Sequence, residues 1–128
     1  MPGPLDKTAM GWEIYPEGLH HMLHLVQDHA RGIPIYVTEN GLAAPDLAKD
    51  GEVNDPERID YLRRHVDCAR RAMAEGVNLK GYFVWSLLDN YEWALGYEKR
   101  FGIVHVDFDS LARTPKASFH ALARALAG

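Results

Sequence analysis

The chain has a single cysteine, Cys68, in 128 residues, so no internal disulfide can hold it together. Cys68 falls mid-helix without a partner and reads as a small core residue or a bystander rather than a nucleophile. There is no excess of basic charge. The formal net charge of −4 gives no sequence-wide field to attract nucleic acid or an anionic membrane. The basic run from Arg58 to Arg71 is interleaved with Asp60 and Asp67, as on a solvated helix face. No stretch approaches the roughly 18 apolar residues of a membrane span. The opening "MPGPLDKTAMGWEIYP" has no basic region followed by an apolar run, so no signal peptide is expected and the location is expected to be cytoplasmic. Repeats and low-complexity tracts are also missing. What is there is ordinary for a globular protein: 47% hydrophobic and 25% charged residues, in a length suited to one domain.

Along the chain, helical and strand patterns alternate. Residues up to about Tyr15 are rich in Pro and Gly and read as irregular. Pro16 suits a first helical position, Leu19, Met22, Leu23, Val26 and Ala30 recur at helical spacing, and Gly32 with Pro34 stops the helix. "IYVT", Ile35 to Thr38, is a short unbroken run expected to form a strand buried on both faces. A loop from Asn40 to Asn54 follows. Asp55 as N-cap, Pro56 in the first turn and Glu57 at the dipole's positive end then open a second helix, with a stripe of Ile59, Leu62, Val66, Ala69 and Met73 ending at Gly76. "GYFVWSLL", Gly81 to Leu88, is a second continuous apolar strand. "GIVHVDF" is a further extended piece, and Thr114 with Pro115 caps and starts a last helix that buries Phe119, Leu122 and Leu126. Two strands joined by a helix make a parallel βαβ unit, and ligands meet such sheets at the carboxyl ends of the strands. Glu39 and the Trp85–Ser86 pair both occupy that end.

A carboxylate at a strand tip can be a metal ligand, a capping group, a general acid or base, or a nucleophile. The second strand tip narrows the choice. In "GYFVWSLLDNYEWALGYEKRFG" the aromatic residues Trp85, Tyr91, Trp93, Tyr97 and Phe101 surround Asp89, Glu92 and Glu98. Aromatic rings stack on the C–H faces of sugars while carboxylates accept hydrogen bonds from hydroxyl pairs, so the mixture suits a neutral polyhydroxyl ligand. Tyr82 and Phe83 read as core.

"GWEIYPEGL", "YVTENG", "GYFVWSLLDNYEWALGYEKRFGIVHVDF" and "RTPKAS" together resemble the C-terminal part of family-1 glycoside hydrolases, the retaining β-glucosidases and β-galactosidases. The resemblance runs from about Gly11 to the last helix. It implies an α/β chain holding the last two βα units, the seventh and eighth strands and their helices, of a TIM (β/α)8 barrel, with residues 1–128 as one segment. It implies that Glu39 is the nucleophile of a double displacement, forming a covalent glycosyl-enzyme. A carboxylate is ionised near neutrality and needs no separate activating base. By the same resemblance Trp85 forms the floor under the glycone ring, with a cis peptide bond to Ser86. Glu92 holds the 4- and 6-hydroxyls, Trp93 donates to the 3-hydroxyl, and Phe101 is an apolar wall; Asn40 and Ser86 are supporting residues. Retention of Glu92 points to an unphosphorylated glycone.

The family's Asn-Glu-Pro motif, which carries the acid/base, is missing, as are its glycone-binding Gln and His and the Tyr that orients the nucleophile. A TIM barrel takes about 250 residues. The chain is therefore expected to be a truncated or split gene or a designed fragment, inactive alone. The expected partners are a small-molecule β-glycoside and either a complementary N-terminal barrel fragment or a second copy of the chain. The alternative is a non-catalytic sugar-binding or assembly fragment. The residues do not choose between glucoside, galactoside and thioglucoside. No cofactor and no metal is assigned. His20 and His24 lie one helical turn apart and could share Zn²⁺, but no third ligand is evident and a wet helix face accounts for them. Asp46 and Asp50 could suggest Ca²⁺, though a turn-rich surface loop explains them equally well. His65, His105 and His120 read as structural.

Overall fold

Pro16, at the first turn, opens α1 (Pro16–Ala30), and Arg31 closes it in the left-handed region at φ 48°. The structure, a computed structural model, describes residues 3–127; Met1 and Pro2, part of the segment expected to be irregular, lie outside them. Residues 3–15 are indeed irregular apart from a bridge between Lys7 and Glu13. The buried side of α1 is Leu23 flanked by Leu19 and Ala30, whereas Met22 and Val26, expected in the same stripe, are exposed.

β1 (Ile35–Asn40) and β4 (Leu79–Val84) pair in parallel, with α2 (Pro56–Ala74) as the crossover between them. This is the expected βαβ unit. β4 starts two residues earlier than its apolar run predicts and ends before Trp85. Neither strand is covered on both faces. Ile35, Val37, Leu79 and Tyr82 pack with Leu23, Ala69 and Ala72 of the helical layer and with Val77 of the connection to β4, while Tyr36, Phe83 and Trp85 are exposed. Phe83 is thus not a core residue. The unbroken apolar runs record two buried faces, but this chain supplies a cover for only one.

The loop after β1 contains a small hairpin, β2 (Ala48–Lys49) and β3 (Glu52–Val53), turned by Asp50 and Gly51 at φ 52° and 81°. Both central residues have positive φ, as a tight hairpin turn requires. After β4 the chain runs through a long loop to β5 (Val104–Val106), which pairs antiparallel with β6 (Arg113–Pro115). Thr114 and Pro115 therefore end a strand rather than start a helix. α3 (Ala117–Ala127) begins two residues later. Leu62, Ile103 and Val104 form a second core against Phe119 and Leu122, but Leu126 is exposed.

The buried face of α2 is Arg58, Leu62, His65, Cys68, Ala69 and Ala72. It is rotated away from the expected stripe: Ile59, Val66 and Met73 instead line an apolar groove of about 610 Å³ between α2, β4 and α3. Arg58 is the largest correction. It is not solvated but fully buried, with Asp46 on both of its terminal nitrogens at 2.9 and 2.6 Å and Asp55 as a further partner. Lys116, equally buried, donates to Asp46 at 2.6 Å and Asp89 at 2.8 Å; Arg100 donates to Asp89 at 2.6 Å. Asp46 is accordingly an internal ion-pair member, not a surface-loop residue. Asp55 makes no side-chain cap on α2; it accepts from the Ser118 backbone N–H (2.9 Å) and hydroxyl (2.6 Å), capping α3 instead. Buried charges are tolerated because each is paired and multiply hydrogen-bonded.

Candidate active site

The tips of β1 and β4 are joined by main-chain contact. The Trp85 N–H donates to the Asn40 carbonyl at 3.0 Å, extending the ladder one step past β4. Gly41 lies flat on that junction: a Cβ there would come within 1.7 Å of the Trp85 carbonyl oxygen. Gly41 is not among the glycines with positive φ, so it is not there to make a left-handed turn. Its missing side chain serves close approach.

Asn40 is held from the helical side. The Tyr82 hydroxyl donates to Asn40 Oδ1, and Asn40 Nδ2 donates to the Tyr61 hydroxyl at 3.4 Å. Burial pushes both tyrosine hydroxyls up from their ordinary titration range, so both stay protonated. Side chains alternate along a strand; with Asn40 anchored toward the helices, its neighbour Glu39 is turned to the open face and is exposed. Among the described residues no group donates a hydrogen bond to the Glu39 carboxylate. The Tyr82–Asn40–Tyr61 chain is a positioning device that the sequence reading missed. The apolar spacing of Tyr82 concealed its polar end.

Past the strand tip, the Trp85–Ser86 peptide bond is cis, as the resemblance implied. Ser86 is buried and well engaged: its N–H donates to the Phe101 carbonyl (3.1 Å), its hydroxyl to the Leu88 carbonyl (2.8 Å), and Asn90 Nδ2 donates to its Oγ (3.0 Å). The loop carrying Glu92 and Trp93 turns back on itself through the Glu92 N–H donating to the Gly96 carbonyl at 2.7 Å and a single 3₁₀ turn, Trp93–Leu95. Glu92 is half-buried, and Trp93 is 81% exposed. Phe101 is only 5% exposed, tilted against Trp12 with ring centroids 6.3 Å apart. Its ring is therefore largely covered.

The loop is anchored at its root by Asp89. That residue was grouped with Glu92 and Glu98 as a hydroxyl acceptor, but its carboxylate is fully used by Arg100, Lys116 and the N–H groups of Gly102 (3.0 Å) and Val106 (3.3 Å). Burial alone would raise its pKa; the Lys116 and Arg100 charges and hydrogen bonds outweigh that and hold it below the usual carboxylate range. Arg100 also lies over the Phe108 ring, 4.7 Å from its centre. Glu39, Trp85, Glu92 and Trp93 line neither the apolar groove nor a second cleft of about 480 Å³ beside Ala43 and Tyr61. Glu39, Trp85 and Trp93 are exposed and Glu92 is half-buried, and among the described residues neither acid has a side-chain hydrogen-bond or ion-pair partner. Elsewhere, Cys68 is buried and donates weakly to Glu17, its thiol pushed up by burial and by that carboxylate, as befits a core residue. His65 is buried, stacked on Tyr61 and donating from Nδ1 to its carbonyl at 2.8 Å. Among the described residues no helix is long and apolar enough to cross a membrane.

Comparison with known proteins gives the same frame. Beta-glucosidase A of Thermotoga maritima is 56% identical over 115 residues, covering 89% of this chain and 26% of its own. The bifunctional beta-D-glucosidase/beta-D-fucosidase of Bifidobacterium breve is 48% identical over 124 residues, covering 93% and 27%. Among solved structures, the family 1 b-glucosidase from Thermotoga maritima in complex with isofagomine lactam superposes with a TM-score of 0.96 at 50% identity, over 99% of this chain and 29% of that one. A psychrophilic beta-glucosidase from Micrococcus antarcticus superposes with a TM-score of 0.94 at 51% identity, over 98% and 27%. The chain thus spans about a quarter of the length of the curated relatives it matches. The family model described as glycosyl hydrolase family 1 matches residues 3–126, and the chain belongs to that family, whose fold is a TIM barrel.

Proposed function

We propose that this chain is the nucleophile-bearing part of a retaining β-glycosidase, a single segment in which β1 and β4 are the seventh and eighth barrel strands. The observation that carries the reading is the junction at the strand tips. An exposed carboxylate, Glu39, lies one residue from the Asn40–Trp85 hydrogen bond and so beside the Trp85 platform. In the reaction a Glu39 oxygen bonds to the anomeric carbon as the bond to the aglycone oxygen breaks. That oxygen leaves with a proton from a second carboxylic acid, and water then releases the sugar. Trp85 supplies the stacking face, Glu92 and Trp93 bind ring hydroxyls, and Phe101 backs the loop. Asn40 and Ser86 hold the two strand tips. The substrate class is an unphosphorylated β-glycoside, in keeping with relatives described as beta-glucosidases.

A retaining pair needs a second carboxyl group about 5–5.5 Å from the nucleophile, and the sequence has no Asn-Glu-Pro motif to supply it. Turnover therefore depends on a complementary barrel segment carrying the acid/base. The apolar groove and the open sheet face are the surfaces it would cover, and self-association is the competing use of them. The test is an activated 2-fluoro-β-glucoside followed by intact-mass measurement, on the chain alone and with the remaining three-quarters of a family barrel. A stable glycosyl adduct on Glu39, abolished in Glu39→Gln, is expected, with aryl β-glucoside hydrolysis only in the complemented form. Labelling at another residue, or hydrolysis that survives Glu39→Gln, overturns the assignment. Saturable glucoside binding without an adduct in either form would favour the second reading, a sugar-binding fragment, which rests on the exposed Trp85 and Trp93 faces.

A further inference from the structure

On the far side of the helical layer, α1 and α2 bring together a ligand set that the sequence shows only in part. His20 and His24 are one turn apart on α1. Glu75, the residue that closes α2, reaches across so that its Oε2 lies 2.6 Å from the Nε2 of each imidazole. The three ligand atoms fall within 4.8 Å of one another, and the two rings lie 4.7 Å apart. Glu75 is 55 and 51 positions from its two partners, which is why spacing alone could not reveal it.

We infer that His20, His24 and Glu75 form a binding site for a divalent transition-metal ion of the zinc class, which staples α1 to α2. Two imidazoles and one carboxylate are a donor set of intermediate softness, suited to zinc and leaving a fourth tetrahedral position for water. Ligand atoms about 2.1 Å from such an ion in a tetrahedron stand about 3.4 Å from one another. The observed 2.6 Å contacts therefore need only a small opening of side chains that are part-exposed. The neighbouring cluster of Glu17, His20 and His21 is a poorer candidate, because Glu17 is already bonded to Arg71 and to Cys68. The Glu75 Oε2 meets only the two imidazoles, with Arg71 Nε 4.0 Å from the other oxygen. The nearest further carboxylate, Glu17, is already bonded to Arg71, so the role is structural. His20 Nδ1 is buried without a hydrogen-bond partner among the described residues. Missing outer support of this kind lowers metal affinity about 10- to 100-fold, which places the site among micromolar rather than nanomolar binders.

The site does not depend on the glycosidase reading. The test uses the full chain without an affinity tag. Zn²⁺ is titrated calorimetrically, and Co²⁺ is followed by its visible absorption. One ion per chain is expected, with the intense bands of four-coordinate Co²⁺. Zn²⁺ at 100-fold its Kd should raise Tm by about 10 °C. Glu75→Gln and His24→Ala should each weaken binding at least about 10-fold, while His29→Ala, whose ring bonds the Leu25 carbonyl elsewhere on α1, changes nothing. Should His24→Ala lower Tm without metal, the Glu75→Gln spectrum decides. Binding that is unsaturable below about 1 mM, or Zn²⁺ affinity and Co²⁺ bands unchanged in Glu75→Gln, overturns the proposal.

Discussion

At the strand tips, Glu39 is exposed and its carboxylate takes no hydrogen bond from any described residue. Beneath the loops, Asp46, Asp55 and Asp89 each accept at least three hydrogen bonds and meet Arg58, Lys116 or Arg100 with almost no water access. Glu39 is near the end of β1, Asp46 and Asp55 lie between β1 and α2, and Asp89 follows β4. Pairing and burial separate the two sets. A carboxylate whose capacity is already used holds segments together, whereas one left unused is free to meet a ligand.

The largest effect expected from breaking this contrast is at the closed set. Arg58→Leu or Lys116→Met leaves buried carboxylates uncompensated, at a cost of about 3–5 kcal/mol. In a chain this size that should abolish the cooperative unfolding transition seen by circular dichroism. Acid provides a graded version. Because Asp89 is held below its ordinary value, its stabilisation is complete above the unfolded-state pKa of about 3.9 and fades as pH falls through the lower folded-state value. Tm should thus drop below about pH 4, and Asp89→Asn should lower Tm at pH 7 while making the acid decline shallower. Ser118→Ala removes a hydroxyl bond to Asp55 and should cost about 1–2 kcal/mol in a denaturant titration. Glu39→Gln, at the open set, should change stability by less than about 0.5 kcal/mol. A large loss there would show that Glu39 is structural and erase the distinction.

The same contrast governs what the residue pattern could disclose. Pro16, Pro56 and the apolar runs located α1, α2, β1 and β4, because these depend on local chemistry. The TENG and WSLLDNYEW stretches could suggest a site from sequence because the proposed residues are carried on two contiguous segments. Arg58 was misplaced for a physical reason: its solvation is replaced by partners 12, 42 and 3 positions away, and periodicity cannot see the long-range ones. The same blindness hid Lys116, Asp46 and the reach of Glu75. Ile59, Val66 and Met73 were found as an apolar stripe but line the groove, since apolarity shows that a surface wants cover without naming what covers it.

Lys116 holds Asp46 and Asp89 at once, residues 70 and 27 positions before it in the chain, and Ser118 reaches back 63 positions to Asp55. As the polypeptide leaves the ribosome, those aspartates emerge long before their ammonium and hydroxyl partners. Until position 118 is free of the exit tunnel only their side-chain contacts with Arg58 and Arg100 can form, so the loops they lock cannot be fully fixed early. The order of synthesis makes the final helix the latch.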